Sequence, residues 1–279
     1  MMKIRVGAMP MFMIQSQDDY DFHIASIEHM TERKPDPQWK VERIVNQHNY
    51  IIAYCSKGEA VYTFSEREIR VRTGDLLFFP KGLVRSASSD PENPWSFYSV
   101  SFDIQFLNDR TRERFDRFDL LIRSPHLFRL PSLFAELSLV WTGKRSGFMI
   151  KCKSIMMDIL YLIMKEQDRS AHGTAHYYDI EKTANLILAD YKEDFTIDAL
   201  ARLSGLSASH FRLLFKKITG LTAVQYQNHI RINKAKDLLL SGECNVTEAA
   251  LSVGFQDIYY FSRLFKKLTG SPPSHYFKG

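Results

Sequence analysis

The residues of this chain best placed to do chemistry are cationic hydrogen-bond donors, and they come in two matched sets. Phe215-Lys216-Lys217 lies within LLFKKITG, from Leu213 to Gly220, and Phe265-Lys266-Lys267 lies within RLFKKLTG, from Arg263 to Gly270, at an offset of 50. Arg212 stands just before the first set and Arg263 opens the second. An ammonium group is a point charge suited to a phosphate oxygen. A guanidinium is a planar fork that can donate to two acceptors at once, such as O6 and N7 of guanine. Self-similarity at a fixed offset marks a duplicated structural unit, so the elements that hold the two sets can be read together.

The match continues upstream. Ile197-Asp198-Ala199-Leu200-Ala201 aligns with Val246-Thr247-Glu248-Ala249-Ala250 at an offset of 49, Gly205 aligns with Gly254, and one extra residue in Phe255-Gln256-Asp257 brings the offset to 50. Each copy reads as a short helix, a turn containing Gly and a second helix. Thr196 and Asn245 are expected to cap the first helices, Asn245 pairing with Glu248 as in a capping box, and Ser207 and Asp257 to cap the second. Phe261, Leu264, Phe265 and Leu268 recur at helical spacing and form one buried stripe; Phe211, Leu214, Phe215 and Ile218 are its counterpart. Away from the stripes, copy one presents Ser209, Leu213 and Lys216 with His210 and Arg212 beside them. Copy two presents Tyr259, Arg263 and Lys266, flanked by Tyr260, Ser262 and Lys267. A solvated basic face is the plain alternative, and the agreement of turn, caps and outer face in two copies argues against it. Residues Phe195 to Gly279 hold 11 Lys and Arg against 5 Asp and Glu, so the net charge of +5 on the whole chain is concentrated where phosphate neutralisation would need it.

From about residue 179 to 279 the chain resembles the DNA-binding domain of the AraC-type bacterial transcription regulators. The Ala-rich first helices, Gly205, Gly254-Phe255, both Phe-Lys-Lys runs and Gly270-x-x-Pro273-x-x-Tyr276 carry the resemblance. It implies a non-palindromic DNA site read by two helices of one chain. The base-reading positions it implies are Ser209, Arg212 and Leu213 in the first helix, and Ile258, Tyr259, Tyr260, Ser262 and Arg263 in the second. Lys216, Lys217, Lys266 and Lys267 are better placed for phosphate. A helix from about Thr222 to Leu240 should join the units and, at 1.5 Å per residue, span roughly 28 Å. Two departures from the family pattern stand out. Leu213 replaces the basic residue that Arg263 supplies in copy two, and Phe277 follows Tyr276 where the family usually has Arg.

Ahead of these units, from about Val41 to Phe102, short β-branched and aromatic runs read as strands: Tyr50–Tyr54, Ala60–Phe64, Ile69–Arg72, Leu76–Phe79 and Trp95–Phe102. Their close spacing implies a small barrel or jelly roll. Gly74 to Arg85 is similar to the second cupin motif, which is also the usual sensor fold of AraC-type regulators. In cupin enzymes this resemblance implies a metal held by two His and a Glu of the first motif and a His of the second. Here Arg85 stands at the second-motif His and Ile51 at the Glu, and His48 is out of register, so neither a metal nor another cofactor is expected. A barrel without metal can enclose a small polar molecule. Arg85 offers a fork for a carboxylate or vicinal hydroxyls, and Tyr54, Tyr62, Trp95 and Tyr98 are candidate walls. Core packing is the competing role for these aromatics.

Residues 104–167 read as helical. Phe148, Cys152, Ile155, Ile159 and Leu162 recur at spacings of 4, 3, 4 and 3, a heptad seam read as a subunit interface, with packing on the barrel as the other reading. The fold class expected is α+β in two domains: a cupin-like effector-binding and dimerisation domain over 1–167, a linker over 168–178 and an all-α double helix-turn-helix domain over 179–279. Residues 1–40 are mixed and suit an extended arm. Lys3 and Arg5 precede an apolar run from Val6 to Ile14, but Gly7 and Pro10 interrupt it and no cleavage site follows, so it is not read as a signal peptide. Three widely spaced cysteines form neither a disulfide framework nor a zinc motif. No run approaches the roughly 18 apolar residues of a membrane span. A cytoplasmic regulator, not an enzyme, is expected. Its partners would be double-stranded DNA, a second copy of the chain, a small effector for which the resemblance implies a carbohydrate, and RNA polymerase if it activates. A constitutive dimeric DNA-binding protein and a cupin-derived enzyme tethered to DNA are the alternatives.

Overall fold

Along β3 (Tyr50–Lys57) every residue from Tyr50 to Cys55 is buried, which a strand achieves only when both of its faces are covered. This strand sits at the centre of the first of two compact units, Tyr20–Ala171 and the residues from His172 onward. A computed structural model describes residues 20–65, 67–172 and 176–277. Around β3 in the first unit lie β1 (Phe22–Arg33), β2 (Lys40–Val45), β4 (Glu59–Phe64), β5 (Arg67–Arg72), β6 (Leu76–Phe79), β7 (Val84–Ser89), β8 (Ser96–Phe106) and β9 (Leu121–Ile122). They form a five-stranded sheet ordered β1-β8-β3-β6-β9 and a four-stranded sheet ordered β2-β7-β4-β5, both antiparallel.

Alternation along the strands divides the apolar residues between two cores. Ile51, Ala53, Cys55, Leu77, Phe79 and Phe97 of the larger sheet meet Ala60, Tyr62, Phe64, Ile69, Val71 and Ala87 of the smaller one. The other face of the larger sheet, with Tyr50, Ile52, Tyr54, Phe78, Val100 and Phe102, packs under α1 (Asp109–Asp116), α2 (Leu130–Gly143) and α3 (Phe148–His172). A sheet with two apolar faces must be covered on both, and the helices supply the second cover.

That requirement corrects the expected subunit seam. Cys152, Ile155 and Ile159 are buried in the core beneath the larger sheet, with Phe148 and Leu162 packed against it, so this stripe is used inside the protomer. The side of α3 turned away from that core carries Ile150, Met157 and Tyr161, all exposed.

Other boundaries move as well. Residues 22–33 form a 12-residue strand rather than an arm. Bulges between Ile24 and Ser26 and between Ile27 and His29 break its alternation, so the buried Phe22, Ile24, Ile27 and Met30 do not recur with period two. The stretch expected to be helical from 104 begins as the end of β8 and is interrupted by β9. α3 runs on to His172 and the next helix begins at Tyr177, so the segment assigned as a linker is helical at both ends.

The second unit is all-helical: α4 (Tyr177–Ala189), α5 (Ile197–Leu203), α6 (Ala208–Thr219), α7 (Ala223–Ser241), α8 (Val246–Ser252), α9 (Ile258–Thr269) and a 3₁₀ turn over Pro273–His275. It has two small cores. Ile180, Ala184, Ile187, Leu200, Phe211, Leu214 and Phe215 build one, and Ala249, Ala250, Val253, Phe255, Phe261 and Phe265 build the other. α7 joins them, giving Ala223 to the first and Ile232, Ala235 and Leu239 to the second. It matches the expected connecting helix to within a residue at each end. Among the described residues no helix is long and apolar enough to cross a membrane.

Candidate nucleic-acid interface and sensor interior

The two helices that carry the basic sets are copies in hydrogen bonding as well as in sequence. Ser207 accepts from the amide of His210 to start α6, and Asp257 accepts from the amide of Tyr260 to start α9. Each helix has 12 residues and closes on a left-handed glycine, Gly220 or Gly270. The hydroxyl of Thr219 lies 2.7 Å from the Phe215 carbonyl and 2.9 Å from that of Leu221; Thr269 repeats this at 2.8 and 2.9 Å with Phe265 and Ser271. The preceding helices α5 and α8 are capped by Thr196 and Asn245, and Asn245 and Glu248 close the capping box. Caps satisfy the orphan amides of a first turn and so determine where the helix, and every side chain along it, begins.

Phe211, Leu214 and Phe215 are buried on one face of α6, which leaves Ser209, Arg212, Leu213, Lys216 and Lys217 exposed on the other. On α9 the buried pair is Phe261 and Phe265, and Tyr259, Tyr260, Arg263, Lys266 and Lys267 are exposed. Among the described residues Arg212, Lys216, Arg263, Lys266 and Lys267 make no ion pair with a protein carboxylate. Exposed cations without protein partners keep their donors and their charge for an external anion. Ile258 departs from the expectation: it packs partly into the second core and is a poor candidate for contact with a base. Ser262 is half-buried, and the Tyr260 hydroxyl is engaged by the side chain of Asn228, which donates to it at 3.2 Å.

In the first unit the strand alternation splits the expected effector residues. Arg85 on β7, Tyr62 on β4 and Trp95 lie between the two sheets, where Tyr62 meets the Trp95 ring at 5.6 Å. Tyr54 and Tyr98 belong to the other side of the larger sheet and stack on Phe134 of α2 at 5.5 and 6.2 Å, so they do not share a site with Arg85. Trp39 was not anticipated from the sequence; it stands 4.9 Å from Trp95 between the sheets.

Arg85 is only 5% exposed. Its Nη2 donates to the Asn46 side chain at 2.7 Å and its guanidinium lies over the Phe79 ring at 4.4 Å, while Nη1 is buried with no acceptor. Trp95 is 1% exposed and its indole N–H is likewise without an acceptor. Burial pushes the guanidinium's pKa down from its usual value. Buried donors left unpaired are costly, and a buried cation with only neutral partners more so. Among the described residues no three His, Cys, Asp or Glu side chains gather where a metal could be held. Of residues 1–40, read as suiting an arm, 1–19 lie outside the described residues.

Comparison with known proteins matches a family to each half of the chain. Residues 30–160 match the family described as AraC-like ligand binding domain, and residues 200–279 match a helix-turn-helix domain family. The MmsAB operon regulatory protein of Pseudomonas aeruginosa is 28% identical over 81% of this chain and 74% of its own length. The arabinose operon regulatory protein of Escherichia coli K12 is 26% identical over 86% of this chain and 84% of its own. The lactose operon transcription activator of Staphylococcus xylosus is 22% identical over 81% of this chain and 84% of its own. These relatives are named as regulatory proteins or as a transcription activator, and the matched domains are those of transcription regulators rather than of enzymes.

Proposed function

Because this chain belongs to the AraC-type transcription regulators, with a sensor domain ahead of a helix-turn-helix domain, we propose that it is a dimeric activator that reads a two-segment DNA site in response to a carbohydrate held between its sheets. The observation that carries the DNA half is the pair of similarly capped helices, which expose the unpaired cations Arg212 and Lys216 on α6 and Arg263, Lys266 and Lys267 on α9. Ser209, Arg212 and Leu213 of α6, and Tyr259, Tyr260, Ser262 and Arg263 of α9, face base edges. Lys216, Lys217, Lys266 and Lys267 hold phosphates. α7 has 19 residues and so spans about 28 Å, comparable with the roughly 34 Å between successive major-groove faces.

The unpaired Nη1 of Arg85 and indole N–H of Trp95 support the effector half, because a ligand bringing oxygen acceptors would satisfy both. Relatives named for arabinose and lactose operons support a sugar, and the one named as an activator supports activation, with RNA polymerase as the partner in the cytoplasm. Since the heptad seam is buried in its own protomer, the self-association surface we assign is the outward face of α2 and α3, through Leu139, Ile150, Met157 and Tyr161.

The test is thermal denaturation of the full chain against a panel of neutral sugars and sugar acids. A true effector raises the melting temperature as its concentration passes Kd. Arg85→Leu removes a buried, poorly compensated charge, so it should fold at least as stably as the parent yet show no shift with that effector. A shift of equal size in both proteins would place the effector elsewhere.

A further inference from the structure

We propose that Arg231, on the helix joining the two reading units, is a positioning residue that locks those units in one relative arrangement. This rests on the two-segment reading above. Arg231 is buried on α7, one turn after Gln227 and one before Ala235, on the face turned into the unit. Its Nε donates to the Tyr191 carbonyl at 2.7 Å, and its Nη2 lies 2.9 Å from the Lys192 carbonyl, 3.1 Å from that of Glu193 and 3.1 Å from the Asp194 carboxylate. Gln227 adds bonds from Nε2 to the carbonyls of Tyr191 at 3.0 Å and Glu193 at 2.5 Å. Three consecutive carbonyls of the loop between α4 and α5, part of the first reading unit, therefore converge on one guanidinium.

The second reading unit closes on the same group from the other side. The Arg231 guanidinium lies 5.7 Å over the ring of Phe255, in the turn before α9. A Cβ on the neighbouring Gly254 would stand 2.7 Å from the Lys192 carbonyl and 3.1 Å from the guanidinium, and Gly254 has φ +94°, a conformation disfavoured for residues with a Cβ. Tyr191, from the loop of the first reading unit, packs partly against the core of the second reading unit. Arg231 thus sits at a three-way junction of loop, connecting helix and second turn. Each reading unit has a core of its own, and the second meets this junction through Phe255 and Tyr191. Loss of the clamp therefore leaves both reading heads folded and acts on their mutual placement. Two tethered heads bind a two-segment site more tightly when their spacing is set beforehand, because the second contact then carries less ordering cost.

The experiment uses the full chain and a site selected from a randomised duplex library. Four duplexes are titrated: the whole site, each segment alone, and the whole site with one base pair inserted between segments. The parent should bind the whole site about 100-fold or more tighter than either segment. Arg231→Lys keeps the charge but lacks the fork needed for three carbonyls. It should lose about tenfold of that gain, hold single-segment affinity within about twofold, and be penalised less by the insertion. Gly254→Ala, which pushes the same loop from the opposite side with Arg231 intact, should give the same pattern; circular dichroism melts report that each variant is folded. Equal losses on whole and single-segment duplexes in both variants, or no loss of the gain, would overturn the proposal. If the parent itself gains nothing from the second segment, the two-segment reading fails and the clamp falls with it.

Discussion

Two glutamate substitutions on one helix separate the surface that holds the sensor unit together from the surface proposed to join two copies. Ile155 is 2% exposed and lies beneath the larger sheet, whereas Ile150, on the same helix, is 78% exposed. Replacing Ile155 by Glu forfeits about 2.5 kcal/mol of side-chain burial. The new carboxyl, with no basic partner in an apolar core, would stay protonated. Raising its pKa by about three units costs a further ~4 kcal/mol at neutral pH. The sum, about 6 kcal/mol, rivals the stability of an ordinary domain, so Ile155→Glu should melt far below the parent or fail to fold. Ile150→Glu should change the melting temperature of the isolated protomer little, since exposed substitutions cost within about 0.5 kcal/mol. At a two-fold interface, however, the change is made twice and loses about 2 kcal/mol at each copy, which weakens dimerisation by on the order of 1000-fold. Sedimentation equilibrium over a wide concentration range, with a thermal melt of each variant, reads both effects. A dimeric Ile150→Glu together with a folded, monomeric Ile155→Glu would refute the layering described here and restore the seam as the interface.

The remaining expectations concern the DNA-binding unit. Arg263→Ala should cost about 1–3 kcal/mol on the selected site and relax preference at one or two adjacent base pairs, whereas Lys267→Ala should weaken all sequences alike and make the salt dependence shallower by about one counterion. Titrations on randomised duplexes at two salt concentrations check this, and a reversal of the two behaviours would contradict the assignment of the two residues. Burial lowers the pKa of His229 below its usual 6.5, so folding disfavours the charged ring. The unfolded chain then takes up its proton first as pH falls, and stability present above about pH 6.5 is lost below it. His229→Gln should flatten that part of the stability profile in denaturant titrations at about pH 7.5 and 5.5.

The DNA-binding half was legible in the sequence because its signals are local. A cap and its amide partner are three residues apart, a buried stripe repeats every three or four, and duplication checks each reading against a second copy. Ser207, Asp257, the capping box at Asn245 and the exposed faces of α6 and α9 all lie where those spacings place them. Arg231 was not legible because its partners are three backbone carbonyls and one carboxylate, 37 to 40 positions away in sequence. The one local hint was two polar residues, Gln227 and Arg231, on the helix face that continues into the buried Ala235.

In the sensor half the sequence by itself determined that there would be strands and that α3 has an apolar stripe. What that stripe covers was decided only by tertiary structure. A heptad pattern says that one face of a helix must leave water, and a neighbouring sheet of the same chain satisfies this as well as a second subunit does. Which aromatics share a chamber with Arg85 was likewise a matter of strand parity and sheet order. Tyr54 and Tyr62 are both buried in adjacent strands of the sequence, yet they occupy opposite sides of the larger sheet. Period two assigns alternate residues to opposite faces, and only the pairing of the sheets says which face is the interior.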